Sequence, residues 1–214
     1  MSRQNKKENV AALHKESILA ATEKLFLEKG VAATTIDDIS KTSEYSRRTI
    51  YAYYESKEDI LYNIILKGLT GLKDNIAEAV NQSDGFIEQY MAICKAMEQY
   101  QTNSPQSANS IDKMKIKDID FNSIPPVIIK IFELGTEINS LLAVFIELGQ
   151  KQDIVRSDIE AMKTVYIMWG SITSLITLVQ NKGDFLEKEF SMSRENYLEY
   201  GYKQIINSIL EERI

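Results

Sequence analysis

Breakers are scarce in this chain. Its 214 residues hold 3 prolines and 9 glycines, and no proline precedes Pro105, so nothing opposes long helices over the first half. A single cysteine, Cys94, excludes an internal disulfide. His14 is the only histidine, which leaves no Cys/His set of the size a zinc site needs, and no metal is expected. There is no glycine-rich phosphate loop, no HExxH and no paired cysteine, so neither an enzyme nor a cofactor is expected. No uninterrupted run of 18 apolar residues occurs and the N-terminus is polar and charged, which predicts a cytoplasmic protein without a membrane span or signal peptide.

What the chain does contain is helix punctuation. Thr35 followed three residues later by Asp38 forms a capping pair ahead of Ile36 and Ile39, predicting a helix from Ile36 that stops by Ser43. Ser46 is a second N-cap, with Arg47, Arg48 and Thr49 in the first turn and Ile50 and Tyr54 four apart. Ser56 and Asp59 repeat the pattern and start a further helix at Lys57. Upstream, residues 14–29 carry Ile18, Ala21, Leu25 and Phe26 on one side and end at Gly30. Two short helices joined by a tight turn are the geometry in which the second helix enters a major groove.

Residues 14–64 resemble the DNA-binding domain of TetR-family transcriptional repressors. The family pattern is an apolar helix ending F-x-x-x-G, then T-T-I/V-x-x-I, then S-x-x-T-L/I-Y-x-H/Y-F/Y-x-S/T-K. Here these stand as FLEKG at 26–30, TTIDDI at 34–39 and SRRTIYAYYESK at 46–57. One departure is Glu44, in a turn where relatives place glycine. The resemblance implies an all-α fold of about nine helices: a three-helix helix-turn-helix domain over 1–60, then an effector-binding and dimerisation domain over 61–214. It also implies a ligand-responsive repressor that binds a palindromic double-stranded operator. The expected DNA-binding residues are Thr35, Ser46, Arg47, Arg48, Thr49, Tyr51, Tyr53 and Lys57. Arg47 and Arg48 are expected to read bases, and Thr35, Tyr51, Tyr53 and Lys57 to hold phosphates. A helical adaptor that binds only protein is the competing reading.

The net charge of −6 runs against DNA binding until it is divided. Residues 1–60 hold ten basic and ten acidic side chains, so the excess acid lies in 61–214. A neutral head with Arg3, Lys6, Lys7, Arg47, Arg48 and Lys57 on one surface predicts modest non-specific affinity and reliance on base contacts.

Beyond residue 64 the spacing predicts a long helix over 56–81 interrupted by Gly68 and Gly71, which mark either close packing or a soft joint. Further helices are expected over 85–100, 106–118, from Pro125 to Gly149, over 157–181 and over 193–211, with the polar run 101–110 a loop or a break before the short helix near 106–118. The helix over 157–181 is apolar on two faces, too much for one core, and the last helix carries the small residues Gly201 and Ser208. In the TetR family the last two helices pair with their copies, so a homodimer through them is expected. Tyr90, Met97, Phe132, Phe145, Tyr166 and Trp169 are the residues expected to line a cavity for a small-molecule effector, and Cys94 is read as a small core residue.

Overall fold

The structure, a computed structural model, describes residues 3–81, 85–111 and 124–211, the side chains of residues 3, 4, 6 and 7 excepted. Its described residues form nine α-helices and no strand: α1 Arg3–Ala33, α2 Ile36–Ser43, α3 Arg47–Tyr51, α4 Lys57–Ala79, α5 Phe86–Asn103, α6 Pro105–Ile111, α7 Pro126–Lys151, α8 Ala161–Phe190 and α9 Arg194–Asn207. Contacts divide the chain into two compact units, Met1–Gly68 with Ser104–Ile131, and Leu69–Asn103 with Phe132–Ile214.

In the first unit α1 begins eleven residues before the expected start at 14, because residues 3–13 are helix formers without a breaker. Gly30 sits at φ 81° and breaks the helix at the position expected, although 31–33 resume helical geometry. The capping pair of α2 is present in full: Thr35 Oγ1 accepts from the Asp38 amide at 3.2 Å, and an Asp38 carboxylate oxygen accepts from the Thr35 amide at 2.9 Å. Ser46 caps α3, accepting from the Thr49 amide at 3.1 Å. The core of this unit is Ile18, Leu25, Phe26, Ile39, Ile50, Tyr54, Ile60 and Ile64.

The expected boundary at residue 60 is not where the contacts divide. The division falls inside α4, between Gly68 and Leu69, and 104–131 joins the first unit. Of the loop or break expected over 101–110, the break is what forms: α5 ends at Asn103 and the short helix α6 starts at Pro105, with the proline in its first turn. Ser107 of α6 is fully buried and donates to the Ile65 carbonyl at 3.1 Å. The remainder of the helix expected to 118 lies outside the described residues.

The second unit packs α5, α8 and α9 together with α7. Phe86 and Phe145 stack with ring centroids 4.4 Å apart, and Tyr90 Oη donates to the Tyr202 carbonyl at 3.0 Å. Gly149 does not end its helix, as α7 continues to Lys151. A side chain there would meet Phe86 and Val155 at 2.5 and 2.6 Å, so the glycine marks a close approach. Likewise α8 runs past the expected end at 181, through an irregular Lys182, to Phe190. Its buried stripe is Val165, Met168, Ile172, Ile176, Val179 and Leu186. By length and composition α8 would pass for a membrane span, which a search for unbroken apolar runs does not register, and only a third of its most apolar window is buried. Tyr166, Ile167, Phe185 and Phe190 of α8 and Tyr200 of α9 are exposed.

Candidate nucleic-acid interface

The eight residues expected to meet DNA all belong to the first unit, and the structure separates them by what they already hold. Helix α3 buries a single residue, Ile50, and turns Arg47, Arg48 and Tyr51 outward. The Arg48 guanidinium has no ion-pair or hydrogen-bond partner among the described residues, and Tyr51 is 55% exposed. Arg47, by contrast, is held by the carboxylate of Asp37 from α2. Thr35 and Ser46 are exposed and serve as N-caps, and Thr49 is half-buried with its hydroxyl 2.9 Å from that of Ser46.

Two residues differ from the expectation. Lys57 does not extend from the surface: its Nζ donates to the carbonyls of Val31 at 2.7 Å, Thr34 at 2.8 Å and, more weakly, Ala32 at 3.4 Å. An ammonium has three donors, so these carbonyls absorb its hydrogen-bonding capacity, and Lys57 clamps the end of α1 against the start of α4. Tyr53 is half-buried, with Oη 3.0 Å from His14 Nδ1. Nothing in the sequence spacing points to either partner, because they lie 23 to 39 positions away. The side chains of Arg3, Lys6 and Lys7 lie outside the described residues.

The turn before α3 is built by Glu44 at φ 61°, left-handed backbone where glycine would be unstrained. Ser43 and Ser40 brace it, the latter donating to the Tyr45 carbonyl at 2.7 Å. Hydrogen bonds from Lys29, then from Thr35, hold the Asp38 carboxyl well below the usual carboxylate range.

In the second unit an apolar cavity of about 30 Å³ is lined by four of the six expected residues: Tyr90, Met97, Phe145 and Trp169. Phe132 and Tyr166 are not part of it. Tyr166 is 63% exposed and accepts a bond from Asn139 at 3.3 Å, since it sits on the outward face of α8. The wall is completed by the non-aromatic residues Leu142, Ile146, Met168 and Ile172, among others. Their signal was available as helical spacing with Phe145 and Trp169. Cys94 is fully buried nearby on α5, and burial pushes its thiol up to about 12.

Residues 18–64 match the family profile described as bacterial regulatory proteins, tetR family. The chain thus carries a TetR-family DNA-binding domain over residues 18–64. Over 183 residues it is 25% identical to the HTH-type transcriptional repressor BepR of Brucella suis biovar 1, covering 83% of this chain and 81% of that one. Its fold matches the TetR-family transcriptional regulator PfmR of Thermus thermophilus at 21% identity and a TM-score of 0.67, covering 88% and 96% of the two chains. It also matches the transcriptional regulator FadR of Bacillus subtilis, solved in complex with stearoyl-CoA, at 15% identity and a TM-score of 0.69, covering 91% and 98%. The domain match and the relative over most of the chain's length support a DNA-binding transcriptional regulator of the TetR type.

Proposed function

We propose that this TetR-family regulator binds a palindromic operator as a homodimer, represses the adjoining gene, and is released by a small neutral effector. The DNA reading is carried by α3, which spends one residue on the core and presents Arg48, Tyr51 and Arg47 outward. Arg48, with its guanidinium uncommitted, is the stronger candidate for bidentate guanine contact. Arg47 must first leave Asp37, so its contribution is the difference between two charge-assisted pairs. Lys57 acts by fixing the α1 terminus and not as a phosphate ligand. The test is a duplex selected from a random pool by the full-length chain. Arg48→Ala should weaken binding to it by roughly 1 to 3 kcal/mol more than to unselected DNA. Equal loss on both duplexes would remove Arg48 from base readout.

Support for the dimer comes from the unpartnered apolar face of α8 and α9, with Ile167 69% and Phe185 60% exposed. Leu175 is a poorer probe of that surface than its spacing suggests, because it packs on Gly201 of its own chain. Ile167→Glu with Phe185→Glu should halve the mass in sedimentation equilibrium. An unchanged mass would move the interface elsewhere.

For the effector, no charged side chain lines the cavity, and Tyr90 Oη is already committed to a carbonyl. This supports a neutral, mainly apolar molecule; an acyl-CoA, such as FadR of Bacillus subtilis holds, would find no cation for its phosphates here. A cavity of about 30 Å³ has room for about one water, so entry of an effector requires Met97 and Met168 to move. The chain has one tryptophan, so its fluorescence reports entry directly. Benzyl alcohol should change that signal and benzoate should not; the opposite order would overturn the neutral-effector reading.

A further inference from the structure

His14 has no part in the interface as expected from spacing, yet it touches both flanks of the recognition helix. Its ring lies 4.9 Å from the Tyr45 ring, in the turn before α3, and 5.9 Å edge-on from the Tyr53 ring, in the segment after α3. Its Nδ1 is 3.0 Å from Tyr53 Oη. Helix α1 thus holds both ends of α3 through one imidazole.

That hydrogen bond has a direction, and the direction decides what Tyr53 offers to DNA. A phenol carries one hydrogen. With Nδ1 bare, Tyr53 donates its hydrogen inward and faces outward with lone pairs only, which a phosphate repels. With Nδ1 protonated, in the other neutral tautomer or in the imidazolium, His14 donates into Tyr53 Oη and the phenol hydrogen is free to point outward. We propose that His14 is a positioning residue for Tyr53: a hydrogen on Nδ1 frees the Tyr53 phenol hydrogen to donate to a phosphate. This rests on Tyr53 being a phosphate contact, and the experiment below separates the two.

The sign follows from linkage. The imidazolium always carries a hydrogen on Nδ1, so acid favours the form that binds DNA best. The titratable groups facing the imidazole from the elements packed on it are the phenols of Tyr45 and Tyr53. On its own helix the adjacent charges are Lys15 and Glu16, and Glu16 is paired with Lys67 of α4. The chain has no second histidine to confuse the profile. Burial raises the Glu23 carboxyl on α1, and Glu23→Gln controls for it.

Binding of the full-length chain to its selected duplex is measured between pH 5.5 and 8 for wild type, His14→Phe, His14→Asn, Tyr53→Phe, Glu23→Gln and the double variant His14→Phe/Tyr53→Phe. Phe keeps a ring against Tyr45 and Tyr53 without a hydrogen bond, whereas the Asn amide donates at every pH. Wild-type and Glu23→Gln affinity should rise as pH falls. His14→Phe leaves the Tyr53 hydroxyl without an inward acceptor, so it should bind near the low-pH wild-type affinity with a flat profile. His14→Asn should stay near the low-pH wild-type affinity and be flat. His14→Phe should add nothing in the Tyr53→Phe background. If Tyr53→Phe binds like wild type, the phosphate contact itself is wrong. If Tyr53→Phe is weak but His14→Phe keeps both affinity and slope, the contact stands and the role of His14 is overturned. An equal loss from His14→Phe with and without Tyr53, or a slope lost in Glu23→Gln, overturns it too.

Discussion

Gly68 and Gly71 lie one turn apart in α4, and alanine should act on them with opposite sign. Each replacement removes the conformational cost of an interior helical glycine, worth about 1 kcal/mol. At Gly71 nothing lies within 4 Å of the new methyl, so that gain is kept. At Gly68 the methyl would sit 2.5 Å from Ser107 Oγ, 2.6 Å from Ser107 Cβ and 3.2 Å from Ser104 Cβ. Rotating the hydroxyl cannot clear the Cβ, and Ser107 is held by its bond to the Ile65 carbonyl, so α6 must shift. Overpacking of this kind costs about 1 to 3 kcal/mol, which outweighs the propensity gain. In a chain of this size 1 kcal/mol corresponds to roughly 2–4 °C, so thermal unfolding should place Gly71→Ala 2–4 °C above wild type and Gly68→Ala below it. Ser107→Gly should interact with Gly68→Ala and not with Gly71→Ala, a coupling of about 1 kcal/mol or more. Equal stabilisation by both alanines would refute the packing reading and return Gly68 to the soft-joint alternative.

Glu44→Gly should stabilise the chain by about 0.5–1 kcal/mol, because left-handed backbone costs a side chain more than it costs glycine; a lower Tm would contradict the turn geometry. Lys57→Met should cost about 1 kcal/mol by leaving the carbonyls at the end of α1 without their donor, and should lower Tm even where no DNA is present. Cys94, pushed up to about 12 by burial, should resist a disulfide reagent at pH 8 in the native chain and react fully in urea; rapid modification of the native thiol would show the site to be open. Asp38→Asn should lower Tm at pH 7. Because the folded carboxyl is held low, its stabilisation is present above the ordinary carboxylate range and is lost as pH falls through the folded value, so the gap between variant and wild type should close in acid; a pH-independent gap would mean the charge of Asp38 is irrelevant.

Local chemistry was sufficient for the elements of the DNA-binding head. The Thr35–Asp38 and Ser46–Thr49 caps act over three residues, so their signals stand in the sequence beside the helices they start, and the family pattern from Phe26 to Lys57 identifies the domain. Helical spacing likewise placed Tyr90, Met97, Phe145 and Trp169 toward one cavity. What spacing could not supply is which of several apolar faces turns inward. Tyr166 and Met168 are both plausible on α8, and only the packing of α5 and α9 against that helix buries Met168 and leaves Tyr166 outside. The same limit separates Arg48 from Arg47 and Lys57. All three are basic residues in or beside a recognition helix, but Asp37 and the carbonyls of 31–34 approach two of them through space, from positions 10 to 26 residues distant. Charge and cap are properties of a short stretch of chain, whereas whether a cation is already spent depends on what the fold brings next to it.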